Sequence, residues 1–223
     1  MTFKPILLPL GDSALLVQLG DEIDLTVNRR VHTLAALIHA SPLPGLIETV
    51  PAYRTLLIHY DPLILTEEEI RKWVRAKLDQ TEGVHVNKPR RLEISVRYGG
   101  EYGIDLEFVA AYHHLRVEDV IRIHSEKTYT VYMMGFTPGF PYMGKLDDAI
   151  LTPRLETPRT HVPAGTVAIA GSQTGIYPIN SPGGWRLIGH TSLRLFDPDA
   201  DHPFLCSPGD EVRFIVEDDC LAP

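Results

Sequence analysis

Cysteine and excess positive charge are both scarce in this 223-residue chain. Cys206 and Cys220 are its only cysteines, too few for a disulfide framework and more in keeping with reduced thiols. They form no C-x-x-C pair, so a zinc site built from cysteines is not expected. Against 29 acidic residues stand 21 lysines and arginines, a net charge of −8. Nucleic acid and anionic membrane surfaces demand a basic face, so neither is expected as a partner. No stretch approaches the ~20 apolar residues of a membrane span. The short Ile6–Leu10 run is interrupted by Gly11-Asp12 and is not a secretory leader. The expectation is a soluble, cytoplasmic protein. Ten histidines are present, but none has the H-E-x-x-H spacing of a helical metal site, and no metal is expected.

What the chain does have is an ordinary hydrophobic content of 44%, enough for a real core. Its length suits one or two domains. Ile6–Leu8 and Ala14–Val17 flank the turn residues Gly11-Asp12-Ser13 and predict a hairpin. Ile23, Val27, Val31, Leu34 and Ile38 recur at helical spacing and predict a helix over 25–40, with Asn28, Arg29 and Arg30 facing outward. Ser41–Gly45 ends it. A second strand pair is expected over 46–53 and 55–60. Thr66-Glu67-Glu68-Glu69 is a capping box, opening a helix that buries Ile70, Trp73, Val74 and Leu78. The order ββαββα over 1–88 predicts a small α/β sandwich of ferredoxin-like type, with Asn87–Arg91 as a linker to a second domain over 89–223. There, a strand is expected over 92–98, a helix capped by Asp105, a helix over 117–125 with His124 on its apolar face, and strands over 127–134 and 212–216. The fold class is thus α+β.

Between Gly135 and Pro198 the chain holds nine of its 17 glycines and eight of its 18 prolines. Short apolar runs (Val167–Ala170, Leu187-Ile188, Leu193–Phe196) sit among them, the pattern of short strands joined by tightly shaped loops in a barrel or sandwich. Phe136, Phe140, Tyr142, Gln173, Tyr177, Ser181 and Trp185 are interleaved with the turn residues and are candidates to line a pocket. Arg154 and Arg159, each following a proline, can grip a carboxylate bidentately or stand as surface cations. His190 reads either as a general base or as a polar turn residue. Ser181 precedes Pro182-Gly183-Gly184, whose glycine amides can stabilise an oxyanion, although no G-x-S-x-G surrounds it. Gly139–Lys145 has the spacing G-x-x-x-x-G-K, but Leu146 follows in place of Ser or Thr and Pro141 removes an amide, so the match reads as accidental.

The runs G-F-T-P-G-F-P-Y-M-G and P-R-T-H-V-P-A-G-T-V-A-I-A-G-S-Q-T-G-I-Y-P-I-N-S-P-G-G-W-R-L-I-G-H-T resemble the family of bacterial 5-oxoprolinase B subunits. That family takes in the kinase inhibitor KipI and the allophanate hydrolase subunit 1 domain. Gly11–Val17 and Val50–Arg54 resemble its N-terminal signature, so the likeness spans nearly the whole chain. It departs from the family's common form at Lys145 and His190.

The resemblance implies an N-terminal α/β domain followed by a cyclophilin-like β-barrel. It implies a hydrolase acting with two partners, a KipA-like C subunit and an A subunit, to open the lactam of 5-oxo-L-proline to L-glutamate. ATP would be used by the complex and bound by a partner rather than by this chain alone. On that footing Arg154, Arg159, Gln173, Tyr177, Trp185, Phe140 and Tyr142 are candidate substrate contacts, and His190 and Ser181 candidate catalytic groups. Two other functions remain open: inhibition of a sensor histidine kinase, and membership of an allophanate- or urea-type amide hydrolase.

Overall fold

A computed structural model of the chain describes residues 3–81 and 89–217. Two compact units are present, Met1–Lys88 and Pro89–Pro223. Cys220 lies outside the described residues, as do Asn87 and Lys88 of the expected linker. Its remaining members belong to the second unit: Arg91 begins a strand, and Arg90 is ion-paired to Asp210 at 2.6 Å.

The first unit runs β1 (Ile6–Pro9), β2 (Ala14–Gln18), α1 (Leu25–Ala40), β3 (Leu46–Pro51), β4 (Thr55–Tyr60) and α2 (Glu67–Asp79). Its sheet has the order β1-β2-β4-β3, every pairing antiparallel. Two hairpins therefore lie side by side. The ββαββα order stands, but the ferredoxin-like expectation is not confirmed, since that arrangement runs β-α-β-β-α-β. Alternation along the strands sends Leu15, Val17, Leu56 and Ile58 into one cluster with Val31, Leu34 and Ile38 of α1 and Ile70, Val74 and Leu78 of α2. Trp73 is only half-buried, with the Lys77 ammonium 5.6 Å from its ring.

The helix starts follow the chemistry of their caps. Asp24 accepts the amides of Thr26 and Val27 at 2.8 and 3.0 Å, which leaves Ile23 outside α1 and exposed. Thr66 and Glu69 form the reciprocal capping box. Another residue departs from its expected place. Asn28 does not face outward but is buried at 1% exposure. Its amide Nδ2 donates to the carbonyls of Ala52 and Tyr53, both at 3.1 Å, tying α1 to the β3–β4 turn.

The second unit begins with β5 (Arg91–Tyr98), α3 (Leu106–Tyr112), α4 (Val117–Glu126), β6 (Thr128–Met134) and β7 (Pro141–Gly144). Then come β8 (Arg159–Val162), β9 (Thr166–Ala170), β10 (Gln173–Ile176), β11 (Ser181–Gly183), β12 (Arg186–His190) and β13 (Glu211–Val216). Seven strands close a barrel in the order β10-β7-β6-β13-β5-β12-β9. β13 lies parallel to β5 and antiparallel to β6. The remaining strands, β8 and β11, form a separate two-stranded ribbon. The expected strand over Leu193–Phe196 is absent: Leu193 is exposed and only a single bridge, Phe196 to Phe204, is made there.

Period-two alternation explains where the pocket-bearing surface arises. Along β9, Val167 and Ile169 point into the barrel cluster, while Ala168 and Ala170 face a second cluster with Phe140, Val162, Tyr177, Trp185 and Leu187. β12 splits likewise, Ile188 inward and Leu187 outward. Both faces of this wall are thus covered, and β9 is buried throughout.

Inside the barrel cluster, α4 delivers His124 at 0% exposure. Its Nδ1 lies 2.7 Å from the Tyr98 hydroxyl and its Nε2 2.9 Å from that of Thr174. Thr174 Oγ1 donates onward to the Ala168 carbonyl at 3.2 Å. The threonine proton is thereby used, so Nε2 donates and Nδ1 accepts, a neutral imidazole with both nitrogens satisfied. Burial pushes its pKa down to about 3.

Candidate functional site

Two hollows lie on the outside of the barrel wall. The first, of about 320 Å³, is lined by Phe136, Phe140, Tyr142, Arg154, Leu155, Pro158, Tyr177, Pro182, Gly183, Gly184 and Trp185. It is an aromatic box. Phe140 meets Tyr177 and Trp185 edge-on at 5.2 and 5.4 Å, and Tyr142 meets Trp185 at 5.8 Å. The Arg154 guanidinium stands 5.7 Å from the Trp185 ring. Among the described residues it makes no ion pair, so its charge is available to a ligand. Burial raises the pKa of the Tyr142 and Tyr177 phenols, opposed at Tyr177 first by a hydrogen bond from the Trp185 backbone and at both by the Arg154 charge; both are neutral at ordinary pH.

Gly183 is fixed by this geometry. A Cβ there would sit 2.2 Å from the Tyr177 hydroxyl oxygen, so only a residue without a side chain lets Tyr177 lie against the β8–β11 ribbon.

The second hollow, of about 350 Å³, is lined by Glu101, Tyr102, Ile104, Arg159, His161, Pro163, Thr166, Leu187 and His190. His190 Nε2 donates to the Ala164 carbonyl at 2.9 Å, and the ring packs on Tyr102 at 5.8 Å. The expected pocket is therefore divided. Phe140, Tyr142, Arg154, Tyr177 and Trp185 come together in the first hollow, while Arg159 and His190 line the second. Gln173 on β10 and Ser181 on β11 line neither. The Ser181 hydroxyl is buried with no hydrogen-bond partner among the described residues.

Arg159 is not a free grip. Its Nη2 donates to Asp105 Oδ1 at 2.8 Å, and its Nη1 donates to the Trp185 carbonyl at 3.4 Å. Asp105 precedes α3 as expected, yet its side chain caps nothing. The second oxygen instead accepts the Leu187 amide at 2.7 Å. Sequence reasoning missed this use of Asp105 because its partners lie 54 and 82 positions away. Phe136, expected among the pocket-lining aromatics, lines the first hollow.

Gly139–Lys145 forms no phosphate loop, because Pro141–Gly144 is strand β7 and the next helical element is a single 3-10 turn, Asp148–Ile150. A nucleotide cradle of that type does not fit these residues. Among the described residues no cluster of three metal-ligating side chains occurs, and no helix is long and apolar enough to cross a membrane.

Residues 5–206 match the family described as carboxyltransferase domain, subdomain C and D. The B subunit of 5-oxoprolinase from Bacillus subtilis is 44% identical over 226 residues, 96% of this chain and 94% of that one. The chain belongs to the family of 5-oxoprolinase B subunits. The solved structure of TTHA0988 superposes with a TM-score of 0.82 at 39% identity over 94% of this chain, which spans 40% of that longer chain. The urea amidolyase of Lachancea kluyveri is 27% identical over 92% of this chain and only 13% of its own length. Similar sequences thus occur both as chains of this size and as segments of larger proteins.

Proposed function

We propose that this chain works within a 5-oxoprolinase complex, and that its aromatic hollow binds the lactam acid. What carries the reading is the combination in that hollow of flat aromatic walls with an Arg154 that forms no ion pair among the described residues. A five-membered lactam bearing one carboxylate matches both: its ring lies against Trp185 and Tyr142, and its carboxylate meets the guanidinium in a site partly shielded from water. In this reading the Tyr142 and Tyr177 rings, which line the hollow, hold the lactam in one orientation. The relatives that bear the B-subunit name support the same reading. ATP would be held by a partner, and this chain's contribution is to bind and orient the ring.

The test is ATP-dependent release of L-glutamate from 5-oxo-L-proline by the chain mixed with its partner A and C subunits. Arg154→Met should abolish release while leaving assembly intact. Turnover of allophanate in place of 5-oxoproline would favour the urea-type relatives. Inhibition of histidine kinase autophosphorylation by the chain alone, without glutamate release, would favour the regulatory reading.

A further inference from the structure

Phe136 is an anomaly that neither the barrel core nor local preference explains. It adopts a left-handed backbone, φ 62°, which an aromatic residue rarely enters and which is strained. The residue is 61% exposed, so little burial offsets that strain. The surrounding loop holds it there. The Gly135 amide donates to the Phe140 carbonyl at 3.2 Å, the Thr137 amide to Gly135 at 2.7 Å, and the Phe140 amide to Thr137 at 3.1 Å. Gly139, at φ 85°, packs so close that a Cβ would lie 2.9 Å from that of Phe196. The result is a ring that lines the aromatic hollow and makes T-shaped contacts with Phe140 and Tyr177, at 5.8 and 6.5 Å.

We propose that Phe136 is the specificity-determining roof of this hollow, selecting a lactam carrying a single charge over the open-chain amino acid. The inference rests on the reading of the hollow as a lactam site. One carboxylate is neutralised by Arg154. L-glutamate brings in addition an ammonium and a second carboxylate, and an apolar roof offers neither a partner. A ring over the mouth therefore strengthens binding of 5-oxoproline and disfavours retention of the charged product. The left-handed backbone holds the ring at the exposed lining of the hollow.

The experiment titrates 5-oxo-L-proline and L-glutamate separately into the full-length chain, following Trp fluorescence and isothermal heats. Wild type, Phe136→Asn, Phe136→Tyr and Arg154→Met are compared. Asparagine tolerates a left-handed backbone, so Phe136→Asn removes the ring without adding strain and should leave the melting temperature nearly unchanged. The affinity of Phe136→Asn for 5-oxo-L-proline should fall about fivefold to tenfold, with glutamate binding changed far less, and Phe136→Tyr should retain selectivity. If Phe136→Asn binds the lactam as wild type does while Arg154→Met does not, the roof is wrong and the hollow stands. If wild type binds no lactam at all, the reading of the hollow fails and the roof goes with it.

Discussion

Asp105 and Arg159 form a part-buried ion pair, 2.8 Å between Oδ1 and Nη2, that joins the start of α3 to the β8–β11 ribbon. The same carboxylate takes the Leu187 amide of β12, and the same guanidinium reaches the Trp185 carbonyl. One acid thus fixes both β8 and β12, whose side chains wall the second hollow.

Removing either partner should therefore destabilise the second unit as a whole. Arg159→Ala leaves a buried carboxylate without its cation, at a cost of about 2–4 kcal/mol. Asp105→Asn should cost less, about 1–3 kcal/mol, because the amide can still hydrogen-bond. Urea unfolding followed at the barrel's tyrosines reads the difference. Retention of full stability by Arg159→Ala would mean the pair is incidental.

A pH prediction follows from His124. Its imidazole is neutral in the fold, with a pKa pushed from 6.5 down to about 3, while the unfolded chain takes up a proton near pH 6.5. Above that pH the contribution of His124 to stability is fully present. As pH falls below it the unfolded state binds the extra proton, and stability drops by up to ~1.4 kcal/mol per pH unit from this group. Unfolding free energies measured between about pH 7 and pH 4 should fall less steeply in His124→Gln than in the parent. Parallel slopes would show that the buried imidazole does not govern acid sensitivity.

Gly183 supplies a steric test. An alanine methyl there meets the Tyr177 hydroxyl at 2.2 Å, so the phenol must swing out of its place. The expected outcome is a loss of about 1–3 kcal/mol of stability together with weakened ligand binding in the aromatic hollow. Unchanged binding in Gly183→Ala would show that Tyr177 is dispensable there.

The first unit offers its own check at Asn28. Replacing it by alanine deletes two hydrogen bonds to the Ala52 and Tyr53 carbonyls, and about 1–3 kcal/mol should be lost. Amide exchange in the β3–β4 turn should quicken first. An exchange pattern indistinguishable from the parent would sink this account.

Local chemistry was readable in the sequence and distant pairing was not. Helix α1 could be bounded because its apolar period and its Ser41–Gly45 stop lie within one stretch, and the box at Thr66 announces α2 by itself. Strands β7, β10 and β11 hold three or four residues each, and their glycines and prolines look like loop. Asn28 passed for a surface residue because nothing local reveals the two carbonyls waiting for it. The aromatics of the first hollow were legible as a group, since pocket-lining residues crowd one Gly/Pro-rich stretch. Their division from Arg159 and His190 was not, because it depends on which face of a strand each occupies once the barrel has closed.

The parallel seating of β13 between β5 and β6 has a bearing on how the protein is made. Residues 91–96 pair with 211–216, so neither β5 nor β6 has its full complement of neighbours until β13 has left the ribosome. Synthesis thus offers the first unit time to form alone, while the barrel waits, its two unpaired edges open to misdirected pairing. Chaperone shielding during that interval, and slow closure set by the long excursion between partners, are the natural correlates of this topology.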